Sequence, residues 1–145
     1  MALEKILLAV DNSKDSEKAA MLVLDLAQNA TLDVVIIHVC NEIPSAINDA
    51  NNSEDVRKQF GDSIGIEARK IVDFYKEIMS RMGIKNTIRL TPGDIAEEIV
   101  KYANAEKRDL IVMGATGRSG LVGAIMGNIT QKVIKESNLP ILLAR

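Results

Sequence analysis

Four short apolar runs, residues 6–10, 34–40, 110–113 and 141–144, constrain this 145-residue chain more than any other feature, because each is continuous. A strand with one wet face alternates apolar and polar residues, whereas a continuous short run is buried on both faces, as inside a parallel sheet. A fifth stretch, 86–90, is weaker because Lys85 and Arg89 interrupt it, which places it nearer an edge. Between the runs the apolar spacing turns helical. Ala20, Val23, Leu24 and Ala27 form one such set, and Ala96, Ile99, Val100 and Ala103 another. The element order is therefore β-α-β-α-β-α-β-α-β, which right-handed crossovers bury as an open α/β sheet with helices on both faces. The length suits a single domain, 1–145.

Helix ends carry their own signals. Ser13 is placed to cap the first helix, and Asp94 with Glu97 three residues on forms a capping box behind a Pro92-Gly93 turn. A long helix over 54–82 turns Ala68, Ile71, Val72, Tyr75, Ile78, Met79 and Met82 to one face and stops at Gly83, with Gly61 and Gly65 weakening its first half. Residues 40–53, rich in asparagine, read as one long polar loop.

Charge and composition remove several function classes. Eighteen Lys plus Arg against twenty Asp plus Glu leave a net charge of -2, with no basic excess to follow a phosphate backbone. One cysteine, Cys40, and one histidine, His38, supply no set of soft ligands for structural zinc and no intrachain disulfide, so a reducing cytoplasmic setting is expected. No run approaches the roughly 18 apolar residues that span a bilayer, and the first run is too short for a signal peptide core. His38 lies within an apolar strand with no nucleophile beside it, so a hydrogen-bonded core histidine is expected. Cys40 reads as a small buried residue.

In open α/β sheets, ligands bind at the carboxyl ends of the strands, where the strand order changes direction. Five of the nine glycines fall between positions 114 and 127, following the fourth strand and leading into the last helix. Glycine allows main-chain N–H groups to turn toward an anion without obstruction, and a helix N-terminus beside such a loop favours phosphate. Asn128 with Gln131 reads as a capping box starting that helix. Neither the G-x-x-x-x-G-K-[ST] loop nor a G-x-G-x-x-G turn after the first strand is present, so these two common nucleotide fingerprints do not apply.

Gly114-x-x-Gly117, nine residues and then Gly127 resemble the G-x2-G-x9-G-[ST] signature of the ATP-binding branch of the universal stress proteins. The surroundings are similar too: V-M-G-A-T-G-R-S-G before and into the loop, A-V-D-N-S after the first strand, H-V in the second, and N-L-P-I-L-L near the end. This resemblance implies the strand order 3-2-1-4-5 and a site for ATP, with Mg2+ or Mn2+ held by its phosphates. It implies a nucleoside side of Ala9, Val10, Asp11 and Val39. The phosphate side it implies is Met113, Gly114, Gly117, Arg118, Gly127, Asn128 and Ile129, acting mainly through main-chain N–H groups. Asn128 stands where the family has Ser or Thr, which keeps a small polar side chain and removes the hydroxyl. Asp11 suits the nucleoside end, away from phosphate charge, and equally suits a simple turn after a strand.

The resemblance implies a cytoplasmic ATP-binding regulatory protein of stress response. Alternatives of the same fold are a slow ATPase or autophosphorylating enzyme, for which Thr116, Ser119 and Thr130 are scattered hydroxyl candidates, and a dimerisation module without nucleotide binding. A flavodoxin-like flavin protein is disfavoured because Phe60, Phe74, Tyr75 and Tyr102 all lie on helices. In the order 3-2-1-4-5 that the resemblance implies, the last strand lies at a sheet edge, and with only Arg145 after its run that edge is expected to be uncovered, so a homodimer through Ile141, Leu142 and Leu143 would satisfy it.

Overall fold

The structure, a computed structural model, describes residues 2–40, 54–116 and 127–145, with the main chain alone over 54–64. Its strands are β1 (Lys5–Ala9), β2 (Asp33–Cys40), β3 (Lys85–Pro92), β4 (Leu110–Gly114) and β5 (Ile141–Ala144). Its helices are α1 (Lys14–Ala27), α2 (Glu54–Arg81), α3 (Ile95–Ala105) and α4 (Asn128–Glu136). All the strand pairings are parallel, in the order β3-β2-β1-β4-β5.

The continuous runs serve both faces of this sheet. Ile6, Leu8, Val34, Ile36 and Val112 turn toward α1 and α2, while Leu7, Val35, Ile37, Ile111 and Met113 turn toward α3 and α4. Ile6, Leu7 and Leu8 are wholly shielded from solvent, and burying each such side chain is worth about 1.5–3 kcal/mol. β3 alternates between exposed and half-buried positions, as an edge strand does. Its Arg89 turns outward and lays its guanidinium 5.3 Å from the centre of the Tyr102 ring. The strand also runs two residues past the expected end, through Thr91 and Pro92, because an edge tolerates a residue without an N–H.

The amino ends of the strands are tied by two consecutive residues. Arg108 is only 7% exposed, and its Nη2 donates to the carbonyls of Ile6, at 3.1 Å, and of Asp33. Asp109 Oδ2 accepts from the N–H groups of Glu4 and Lys5 at 3.1 and 2.8 Å. Those two amide bonds hold the Asp109 carboxyl below its ordinary range, Lys5 contributing the larger part.

Most helix signals behave as expected. Ser13 caps α1, its side chain accepting from Ser16 N–H, and Asp94 caps α3 by accepting from Glu97 N–H at 3.0 Å. α2 passes through Gly61 and Gly65 and ends where Gly83 takes φ +71°. Two expectations fail. Met82 lies one residue past the end of α2 and is 61% exposed, off the buried stripe that ends at Met79. Asn128 is not a cap: Gly127 takes that position, and Asn128 is the first helical residue of α4, with no side-chain cap bond at this end. Of the loop expected over 40–53, Cys40 instead ends β2, and 41–53 lie outside the described residues.

Candidate functional site

Because β1 lies between β2 and β4, the chain leaves its carboxyl end in one direction through α1, while the α3 crossover reaches β4 from the other face. The crevice at these ends is the switch point where open α/β sheets take ligands. Ala9 ends β1 and Val10 and Asp11 follow it, Val39 lies near the end of β2, and Met113 and Gly114 end β4. Gly127, Asn128 and Ile129 open α4 at the same end, since Gly127 N–H donates to Ala115 O at 2.8 Å and Thr130 Oγ1 to Gly114 O at 3.1 Å. Nine of the residues expected at the site are thus brought to one end of the sheet. Gly117 and Arg118 lie outside the described residues.

The side of the crevice formed by β1 and β2 is apolar and closely held. Ala9, Val10 and Val39 are buried, as is Met113 beside them on β4. His38 is half-buried, and its Nδ1 lies 2.8 Å from Val10 O, a carbonyl that can only accept, so Nδ1 is the donor in this contact. It is the hydrogen-bonded core histidine expected from the sequence. Cys40 is a half-buried free thiol, and burial raises its pKa, which disfavours the thiolate a nucleophile needs.

Asp11 performs the turn role. Its Oδ1 accepts from Ser13 N–H and Ser16 Oγ, both at 2.8 Å, and its own N–H donates to Ser16 Oγ at 2.9 Å. The carboxylate is therefore fixed in orientation before any ligand arrives. Tyr75 of α2 is buried nearby; burial first, then the charges of Glu17 and Asp11, push its phenol pKa well up and keep it neutral.

At the β4 side, space dictates glycine. A Cβ on Gly114 would fall 2.6 Å from Asp15 Cβ, and one on Gly127 would fall 2.6 Å from Thr116 O. Gly127 has φ -75° and ψ 162°, open to any residue, so room rather than conformation sets the requirement there. Its N–H already bonds Ala115, and the first helical bond runs from Gln131 N–H to Gly127 O, so the donors that α4 leaves without helical acceptors are those of Asn128, Ile129 and Thr130 in its first turn. These N–H groups and the helix dipole suit an anion. Of the candidate hydroxyls, Thr130 is buried and committed to Gly114 O, Thr116 donates to Asp15 Oδ2 at 2.5 Å, and Ser119 lies outside the described residues. Asp15 and Ser16 were not singled out in the sequence. An acidic or small polar residue in a first helical turn is too common a signal to mark either, and Thr116 comes to Asp15 only in the fold.

Among the described residues, no group of three or more His, Cys, Asp or Glu side chains could hold a metal ion. No helix there is long and apolar enough to cross a membrane.

Residues 2–145 match the universal stress protein family. The chain belongs to that family. Universal stress protein MJ0531 of Methanocaldococcus jannaschii is 32% identical to it over 142 residues, covering 98% of this chain and 82% of its own length. The solved structure of MJ0577, from the same organism, superposes with a TM-score of 0.87 at 30% identity, over 98% of this chain and 95% of that one. A universal stress protein from Archaeoglobus fulgidus solved in complex with dAMP superposes with a TM-score of 0.68 at 19% identity over 100% of both chains, a likeness of fold. The resemblance read from the glycine spacing and the flanking segments is thereby borne out, as are the α/β class and the strand order.

Proposed function

We propose that this chain is a cytoplasmic regulatory protein of stress response that binds ATP at the carboxyl end of its sheet and reports it through conformation or choice of partner. The observation that carries this reading is the meeting of the open first turn of α4 with the ends of β1 and β4, where only glycine fits at positions 114 and 127. Support comes from the fold relative solved with dAMP, whose ligand shares the adenine base and a phosphate. The nucleoside side is Ala9, Val10, Asp11 and Val39. The phosphate side is Met113, Gly114, Gly117, Arg118, Gly127, Asn128 and Ile129, with the first-turn N–H donors of α4 at its centre. The described residues offer no ligand cluster of their own, so Mg2+ or Mn2+ would enter on the phosphates, as such hard cations commonly do.

Mass spectrometry of nucleotide released from the purified protein, followed by calorimetry, tests the assignment. We expect an adenine nucleotide and micromolar-or-tighter ATP affinity. Gly117→Val should weaken that affinity at least tenfold, about 1.4 kcal/mol. Equal affinity in the two proteins overturns the phosphate side of the assignment.

A further inference from the structure

Resting on the nucleotide-binding reading, we propose that Asp15 is a positioning residue for the phosphate end of the site. It lies in the first turn of α1, with its side chain 13% exposed, and its Oδ2 accepts both Oγ1 and N–H of Thr116, at 2.5 and 3.3 Å. Two donors from one residue fix both the position and the facing of the main chain at 116. A hydrogen bond to a charged acceptor is also among the stronger kinds. The same α1 turn presses against Gly114, where a Cβ would fall 2.6 Å from Asp15 Cβ.

From Thr116 the restraint reaches the anion-binding donors through Gly127. Thr116 O lies against Gly127, the cap of α4, close enough that a Cβ there would come within 2.6 Å, and Gly127 N–H is bonded to the neighbouring Ala115 O. Gly127 in turn sets where the N–H groups of Asn128 and Ile129 stand relative to β4. The carboxylate of Asp15 thus holds, through Thr116, the ground on which the first turn of α4 rests.

Charge alone predicts the opposite sign. A bystander carboxylate near bound phosphates repels them, so its removal would tighten ATP binding. As a positioning residue, Asp15 makes its removal costly for ligands that carry phosphate and neutral for those that do not.

The test measures ATP and adenosine affinities by calorimetry for wild type, Asp15→Ala, Thr116→Val and the double variant, with hydrogen exchange on the ligand-free proteins. We expect each single variant to lose about tenfold in ATP affinity with adenosine affinity unchanged, and the double variant to lose no more than either single one. Exchange at the Gly127 and Gln131 amides, which bond Ala115 O and Gly127 O, should accelerate in both singles. Unchanged or tighter ATP binding by Asp15→Ala, or an equal loss for adenosine, overturns the proposal. Unchanged exchange at Gly127 and Gln131 overturns it without reference to any ligand, which separates its failure from that of the nucleotide reading, marked by a wild type that binds neither compound. Thr116→Val leaves the Asp15 charge in place, so it separates lost positioning from relieved repulsion.

Discussion

Single residues at this site are held by space and by hydrogen bonds that pre-exist any ligand. Gly114 and Gly127 are tight against Asp15 and Thr116, so adding one methyl group at either position forces protein atoms apart. Gly114→Ala should lower stability by about 1–3 kcal/mol, the usual range for overpacking, and a thermal melt of the ligand-free protein checks it. Asn128 should behave in the opposite way. Read as a helix cap, it would cost about 1 kcal/mol on replacement by Ala. Since Gly127 holds the cap position and no side-chain cap bond forms, Asn128→Ala should shift stability by less than about 0.5 kcal/mol. Any large effect of that change should then appear in nucleotide affinity. A melting temperature that falls as for a lost cap would restore the capping role.

At the scale of elements, α3 and α4 are joined where their polar ends meet. Asp94 caps α3, and Lys132 of α4 reaches Asp94 Oδ1 at 3.3 Å and Glu97 Oε1 at 3.4 Å. The Asp94 carboxyl lies below its ordinary range, first because Glu97 N–H donates to it and then because Lys132 faces it. A depressed folded pKa stabilises the protein above the unfolded value and loses that contribution as pH falls through the folded one. Asp94→Ala should therefore cost about 1 kcal/mol at neutral pH, most of it from the lost cap. The gap between variant and wild type should narrow below about pH 4. Paired melts at pH 7 and pH 3 measure it, and a gap that stays constant removes the carboxylate from the account.

For the molecule as a whole, the open question is what covers β5. This strand pairs with β4 along one side and leaves Ile141, Leu142 and Leu143 half-buried at the end of the sheet order. An edge of unpaired N–H and C=O groups invites another strand, and a two-fold axis lets the strand meet its own copy. The expected outcome is a homodimer at micromolar concentration by light scattering, converted to monomer by Leu142→Pro, which removes a donor from the strand. A monomeric wild type rejects this interface.

The amino-acid sequence by itself determined the elements. Burial on both faces leaves a continuous apolar run, and runs this short suit strands and not helices, so those that became β1, β2, β4 and β5 were legible to within a residue or so. Helical periodicity likewise revealed the stripes of α1, α2 and α3, although it could not show that the turn at Gly83 would leave Met82 in solvent. The glycine spacing was legible as a pattern, and the strand order came with the family that the pattern resembles. Only the tertiary structure decided why Gly114 and Gly127 must be glycine, which residue caps α4, and what Asp15, Ser16 and Arg108 are for. Asp15 meets Thr116 across 101 positions, and Arg108 meets Ile6 across 102. Secondary structure follows from contacts within a few residues and leaves a period in the sequence. A hydrogen bond between distant residues leaves none, because its partners become neighbours only when the sheet assembles.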